Sequence, residues 1–285
     1  MDDHKSLIFS NFPDTMIIGA SSFAGSLSEL SHEVRSVELY IPKLHVYKGP
    51  KLDREILSKI LDELSTLDLM TSIHAPYSAE SPTYPKDLQV DTSNMVSEDF
   101  RLMGESMELA ASLGSKVVVL HPGRINGDRE VSFQNMISNL KELAAQAADC
   151  GVMLGLENKE GTDPTNLCCR AEELVAAVEA VNSDNLKITL DIGHANLTCG
   201  GDPYKLRAFV RTVAPYVVHM HMHDNGGKWT SNYDGDEHLA PGKGTVDYTV
   251  LKEIHNYRGI YNLEVFSMPD VLTGKSTLLK YLDRS

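Results

Sequence analysis

Short apolar runs rich in β-branched residues recur along the chain, separated by longer segments whose apolar positions repeat every three or four residues. The runs are Thr15–Ala20, Ser36–Ile41, Met70–His74, Lys116–His121, Met153–Glu157, Lys187–Asp191, Tyr216–His223 and Ile260–Phe266. Helical periodicity marks Leu27–Glu33, Arg54–Leu67, Ser97–Leu113, Ser132–Cys150, Ala171–Val181, Pro203–Val213 and Val246–Tyr257, and Met268–Leu282 closes the chain. Eight strands apolar almost throughout, alternating with eight helices, predict an α/β protein in which a parallel sheet is covered on both faces. The expected fold is a single (β/α)8 TIM barrel over residues 1–285. A doubly wound sheet would want a glycine-rich phosphate turn after an early strand, and the segment GASSFAG lacks that spacing. No linker, low-complexity tract or repeat beyond the β/α alternation divides the chain.

Within the seventh run, VVHMHMHDN places His219, His221 and His223 on alternate residues. In a strand these share one face, with Met220 and Met222 on the other. Imidazoles crowded onto the inner side of a barrel strand suit a metal better than a dry core, since each buried ring needs partners for its nitrogens.

Other ionisable residues fall at strand ends, where the loops of a barrel converge and its chemistry sits. The third strand ends in HAPY (His74, Tyr77), the fourth in HPG (His121), the fifth in LENKEG (Glu157) and the sixth in LDIGHAN (Asp191, His194). The seventh brings His221, its following loop carries DEH (Asp236, His238), and the eighth contains Glu264. Taken singly, each is more often structural. Together they are nine residues, five histidines and four carboxylates, directed at one mouth. Mixed nitrogen and oxygen donors suit a divalent metal such as Zn2+ or Mn2+ better than a calcium cage. Glu157, Asp191, His221 and Glu264 are expected to hold a central ion. His74 and His121 can hold a second, bridged by Glu157, and His194, Asp236 and His238 a third. His219 or His223 is a candidate for orienting a metal ligand.

Composition narrows the partners. A formal net charge of -14 disfavours loose electrostatic binding to nucleic acid or an anionic membrane, although a local basic rim is compatible with it. No run of eighteen apolar residues exists, and the first fifteen residues lack a basic-then-apolar leader pattern, so a cytoplasmic protein is expected. The four cysteines, Cys150, Cys168, Cys169 and Cys199, show no CxxC pair, which argues for reduced thiols and against a cysteine-based zinc site.

The set HAPY, HPG, LEN, DxxH, HMHDN, DxH followed by PGKG, and LE resembles the xylose isomerase-like TIM-barrel superfamily, and covers the chain from the first strand to Glu264. That superfamily includes sugar-phosphate isomerases and epimerases and endonuclease IV. By this resemblance all nine residues match the trinuclear zinc ligands of endonuclease IV, while Glu157, Asp191, His221 and Glu264 equally match the single-metal site of the sugar epimerases.

Two activities follow. In a metal-dependent isomerase or epimerase of a small sugar or sugar phosphate, Glu157 and Glu264 exchange a carbon-bound proton from opposite faces. In an endonuclease IV-like phosphodiesterase, up to three zinc ions act on abasic DNA, and Tyr77 lies where that family inserts a tyrosine. The loop IPKLHVYKGPKLDRE departs from that family's DNA-penetrating loop, and only one tryptophan is on offer for stacking. The epimerase reading is therefore preferred, with a dehydratase or lyase on the same site as a further alternative and a non-catalytic metal-binding barrel as the fallback. For substrate contacts, Tyr77, Trp229 and Lys243 are the candidates, with Lys43, Lys48 and Arg124 as other possible anion partners; each of these cations is also an ordinary surface charge. A homo-oligomer is compatible with the sequence.

Overall fold

A computed structural model describes residues 16–41, 46–48, 51–76 and 90–282. Tyr77, Lys43 and the side chain of Lys48 lie outside the described residues. Eight parallel strands close into a barrel: β1 (Ile17–Ser21), β2 (Ser36–Tyr40), β3 (Met70–His74), β4 (Val117–Leu120), β5 (Met153–Glu157), β6 (Leu186–Asp191), β7 (Val217–Met222) and β8 (Ile260–Leu263), which pairs back onto β1. A two-residue-per-arm hairpin, Tyr47–Lys48 with Lys51–Leu52, projects between β2 and the first long helix.

Around the barrel lie α1 (Leu27–Ser31), α2 (Arg54–Ser65), α3 (Ser97–Leu113), α4 (Arg129–Cys150), α5 (Ala171–Val181), α6 (Ile192–Thr198), α7 (Pro203–Val213) and α8 (Met268–Leu282). Two elements differ from the periodicity. The expected helix Val246–Tyr257 is a 3-10 run, Tyr248–Ile254, opened by Asp247 accepting from the Thr249 N–H. Its buried Tyr248, Leu251 and Ile254 stand three residues apart, the spacing of a three-residue turn rather than of an α-helix. The short α6 was not expected at all. It starts directly at the end of β6, where the Asp191 side chain accepts from His194 N–H at 2.6 Å, so one carboxylate both ends a strand and caps a helix.

Strand register decides what meets at the mouth. Asp191 is level with His221, His221 with Asn262, and Glu157 with Thr189. An irregularity in the β6–β7 pairing makes this possible: between the pairs Ile188–Val217 and Thr189–His219 one extra residue, Val218, sits in β7. That bulge brings His219 and His221 onto the same inward face as Thr189 and Asp191. Met220 and Met222, pointing the other way, are fully buried in the apolar layer between barrel and helices. No helix among the described residues is long and apolar enough to cross a membrane.

Candidate metal centre

At the C-terminal ends of the strands, Glu157, Asp191, His221 and Glu264 put one donor atom each within 4.8 Å of the others. Around His221 Nδ1 lie Glu264 Oε2 at 3.1 Å, Glu157 Oε2 at 3.4 Å and Asp191 Oδ2 at 3.7 Å. Those spacings are close to the edges of a coordination shell with bonds of about 2 Å. Beside it, Glu157 Oε2 also faces His121 Nε2 at 3.2 Å and His74 Nε2 at 3.6 Å. A third group forms further out, where Asp236 Oδ2 lies 3.1 Å from both His194 Nε2 and His238 Nε2. All nine sequence-predicted donors therefore meet in three adjoining clusters, and none of the clusters includes a cysteine.

Three of the rings are held by their Nδ1. His74 Nδ1 bonds Ala75 O at 2.9 Å, His194 Nδ1 bonds Asn158 O at 2.9 Å and His238 Nδ1 bonds Glu264 O at 2.7 Å. A proton on Nδ1 in these three leaves the Nε2 lone pair facing the cluster. His221 is turned the other way. Its Nε2 meets Glu38 Oε1 at 3.0 Å, leaving Nδ1 to face the three carboxylates.

Glu38 is the main residue that sequence reasoning missed. It lies in the middle of β2, fully buried, and also bonds His219 Nε2 at 2.8 Å, with Asn262 Nδ2 donating at 3.2 Å and Ser72 Oγ at 3.4 Å. Burial opposes its charge, but His221 and His219 overcome that penalty and hold the carboxyl well below its usual range. A signal was present: a charged residue inside a barrel strand has helices on one side and only the barrel interior on the other. Lys159 and Glu160, two and three residues past Glu157, were also missed. The Lys159 side chain is 15% exposed, and its ammonium lies 3.0 Å from Glu160 Oε2. Burial disfavours its charge, yet Glu160, Glu157 and Asp236 together keep it protonated.

The donor set fits a cation. Glu157 Oε2, His221 Nδ1, Glu264 Oε2 and Asp236 Oδ1 are buried polar atoms with no hydrogen-bond partner, and the first three point at one another. Such atoms carry a desolvation penalty that a bound ion removes. Burial pushes His121 down to about 4, which keeps the ring neutral and able to ligate. For Glu157 burial again opposes the charge, and the His121 and His221 rings hold the carboxyl well below its ordinary value.

The remaining predicted contacts sit apart from these clusters. Trp229 is 58% exposed and its indole N–H donates to Asp234 in its own loop at 3.1 Å. Lys243 is exposed on the PGKG turn. That turn is anchored by Asp224, whose carboxylate accepts from Gly242 N at 2.9 Å and Val246 N at 3.0 Å. Arg124 is exposed and pairs with Asp163 at 3.5 Å. Sequence reasoning also passed over an aromatic wall on one side of the mouth. Phe23 packs on Tyr40 with centroids 5.0 Å apart and on Phe266 at 5.8 Å, and Phe266 reaches His238 at 5.1 Å.

A closed parallel barrel that gathers imidazoles and carboxylates at the C-terminal ends of its strands defines the broad class. Within it, the chain belongs to the xylose isomerase-like TIM barrel family, whose model matches residues 30–283. Over 220 residues it is 34% identical to the uncharacterized protein MJ1311 of Methanocaldococcus jannaschii, spanning 74% of this chain and 69% of that one. It is 30% identical over 187 residues to a probable endonuclease 4 of Mesomycoplasma hyopneumoniae, 64% of this chain and 63% of the relative. Among solved structures, a D-tagatose 3-epimerase-like protein superposes with a TM-score of 0.76 at 26% identity, covering 94% of this chain and 98% of that one.

Proposed function

We propose that this protein is a divalent-metal-dependent isomerase or epimerase of a small sugar or sugar phosphate. One observation carries the reading: Glu157 and Glu264 approach His221 Nδ1 at 3.4 Å and 3.1 Å, each with a buried oxygen that no hydrogen bond satisfies. Two carboxylates aimed at one small space are what proton exchange at carbon requires, one to remove the proton and the other to return it. Glu157, Asp191, His221 and Glu264 would hold the cation, Zn2+ or Mn2+, and a bound divalent ion supplies the positive charge that acidifies a proton next to a carbonyl. The chain's own groups do the rest. His74 and His121 stand beside the Glu157 carboxylate at 3.6 Å and 3.2 Å, Glu38 fixes the His221 ring, and Phe23 with Phe266 offers aromatic faces to the apolar side of a sugar. Lys159 presents a fixed positive charge to an anionic oxygen such as that of a phosphate. The similarity to a D-tagatose 3-epimerase-like protein supports the same reading.

The test is solvent exchange at carbon. Zinc- or manganese-loaded protein is incubated in D2O with a panel of ketoses and ketose phosphates, and proton NMR follows each C–H signal. The expected result is exchange at one carbon next to a carbonyl, lost in Glu264→Gln at saturating metal. A second reading, a phosphodiesterase on abasic DNA, is favoured by the full set of three adjoining clusters and by the endonuclease 4-like relative. Cleavage of an abasic-site duplex with no exchange anywhere in the sugar panel would decide for it.

A further inference from the structure

The outer cluster holds one residue more than the trio read from the sequence. We propose that His223 is its fourth protein ligand, so that an ion held by His194, His223, Asp236 and His238 is coordinatively closed and pins the 224–240 loop instead of binding substrate. This inference rests on the metal-dependent reading above.

Donor atoms of the four side chains all lie within 4.8 Å of one another. The His223 ring stacks on His238 with centroids 4.0 Å apart and 10° between planes, and stands edge-on to His194 at 5.5 Å. Its Nε2 lies 3.0 Å from Asp191 Oδ1 and 3.7 Å from Asp236 Oδ1, while Nδ1 is buried with no partner. Whichever nitrogen carries the proton, the lone pair of the neutral ring therefore meets no hydrogen-bond donor: only carboxylates surround one edge and nothing polar satisfies the other. A cation relieves that position.

Gly193 supplies an independent sign that room is kept for this imidazole. A Cβ at that position would stand 2.1 Å from His223 Cε1 and 2.4 Å from Nδ1, so any side chain there would expel the ring. The loop also needs something to hold it. Tyr233, Asp234 and His238 have φ of +50°, +54° and +47°, a left-handed backbone that non-glycine residues adopt at a cost. An ion joining α6, the end of β7 and this loop would offset that strain. Four protein ligands also complete a tetrahedral shell around zinc; the inner ion has four as well, but two of them are the Glu157 and Glu264 carboxylates given to proton transfer, whereas no ligand of the outer ion is given a chemical step.

The experiment uses full-length protein dialysed against zinc, with metal content by mass spectrometry, the d–d absorption of the Co2+-substituted form, and limited proteolysis between residues 224 and 240. Wild type is expected to give the intense spectrum of a closed tetrahedral site and a protected loop. His223→Asn is expected to weaken one metal equivalent by about tenfold or more, and to open the loop to protease while inner-cluster metal is retained. Gly193→Ala should do the same with the histidine still present, which covers the case in which His223→Asn folds poorly. Unchanged stoichiometry and unchanged protection in both variants would overturn the proposal, as would loss of the inner ion alone, which would make His223 an orienter of Asp191. Wild-type protein that binds no zinc or cobalt would overturn the metal reading itself, a result distinct from either.

Discussion

The inner and outer clusters are made of the same side chains on different supports. Glu157, Asp191 and His221 sit on barrel strands hydrogen-bonded on both sides, and Glu264 follows β8 directly. Behind them Glu38, itself held by Asn262 and Ser72, fixes the His221 ring from inside the barrel. In the outer cluster, His194 rides on a seven-residue helix, and Asp236 and His238 on a loop with left-handed backbone at three non-glycine residues. The barrel alone preorganises the first group. The second has no such support among its own elements, and on the proposal above an ion holds it. Chemistry that demands placement to within about 0.5 Å belongs on the rigid support, which is why we assign proton transfer to the inner cluster and loop fixation to the outer one.

The largest effect expected from this division is on turnover. Glu264→Gln removes one of the two carboxylates we propose for proton transfer and should lower kcat by about a thousandfold at saturating metal. His238→Ala should lower it by less than about tenfold, because the ring bonds the backbone carbonyl of Glu264 and not the carboxylate proposed to move the proton. Steady-state kinetics of the two variants side by side test the contrast. Equal losses would mean that the clusters act as one catalytic unit, as a trinuclear phosphodiesterase requires.

Next in size is the support of the inner cluster. Glu38→Ala strips His219 and His221 of their buried partner and should cost about 3–5 kcal/mol in denaturant unfolding. It should also weaken the inner metal by about 10–100-fold while leaving the outer one in place, as read by zinc titration against a competing chelator. A uniform weakening of all metal sites would show that the two regions are not separately supported.

Lys159→Met should act on binding more than on chemistry. Removing a nearly buried ammonium at the mouth is expected to raise KM for a phosphorylated substrate by about tenfold, with kcat and the KM for the unphosphorylated sugar little changed. An equal effect on both substrates would place Lys159 in holding Glu160 and Asp236 instead of in recognising an anion.

Most of the inner cluster was legible in the sequence because strands and metal donors obey simple spacing. The HMHMH alternation fixes a face, and strand-end carboxylates must converge if the sheet closes. What spacing does not reveal is register. The extra residue at Val218, which levels His221 with Asp191, leaves no mark in the hydrophobic pattern. Glu38 was passed over because one charge in SVELY looks like the polar face of a half-exposed strand, although a closed barrel leaves such a charge only the interior. Lys159 and Glu160 belong to a loop, where neighbours in sequence carry no fixed direction. The 3-10 run Tyr248–Ile254 was read as an α-helix because three- and four-residue spacings overlap over so short a stretch. His223 was visible as a shared-face imidazole, but its association with the loop donors Asp236 and His238 is a tertiary fact.

The smallest effect concerns Trp229, expected from the sequence as a substrate contact. With 58% of its surface exposed and its indole N–H bonded to Asp234 five residues on, the ring braces its own loop. Such a contact at the surface is worth about 1 kcal/mol or less, and it touches none of the inner donors. Trp229→Phe, which keeps the aromatic surface but removes the N–H donor, should therefore change KM by less than about twofold, and only slightly raise protease sensitivity between residues 224 and 240. Trp229→Ala separates bracing from recognition. If the ring only steadies the loop, losing it should affect zinc-dependent protection more than sugar binding. A rise in KM of about tenfold in Trp229→Ala but not in Trp229→Phe would show that the loop folds inward on substrate and that the ring stacks on it. The outer cluster would then hold the hinge of a moving lid, and its assignment as a fixed clamp would have to be abandoned.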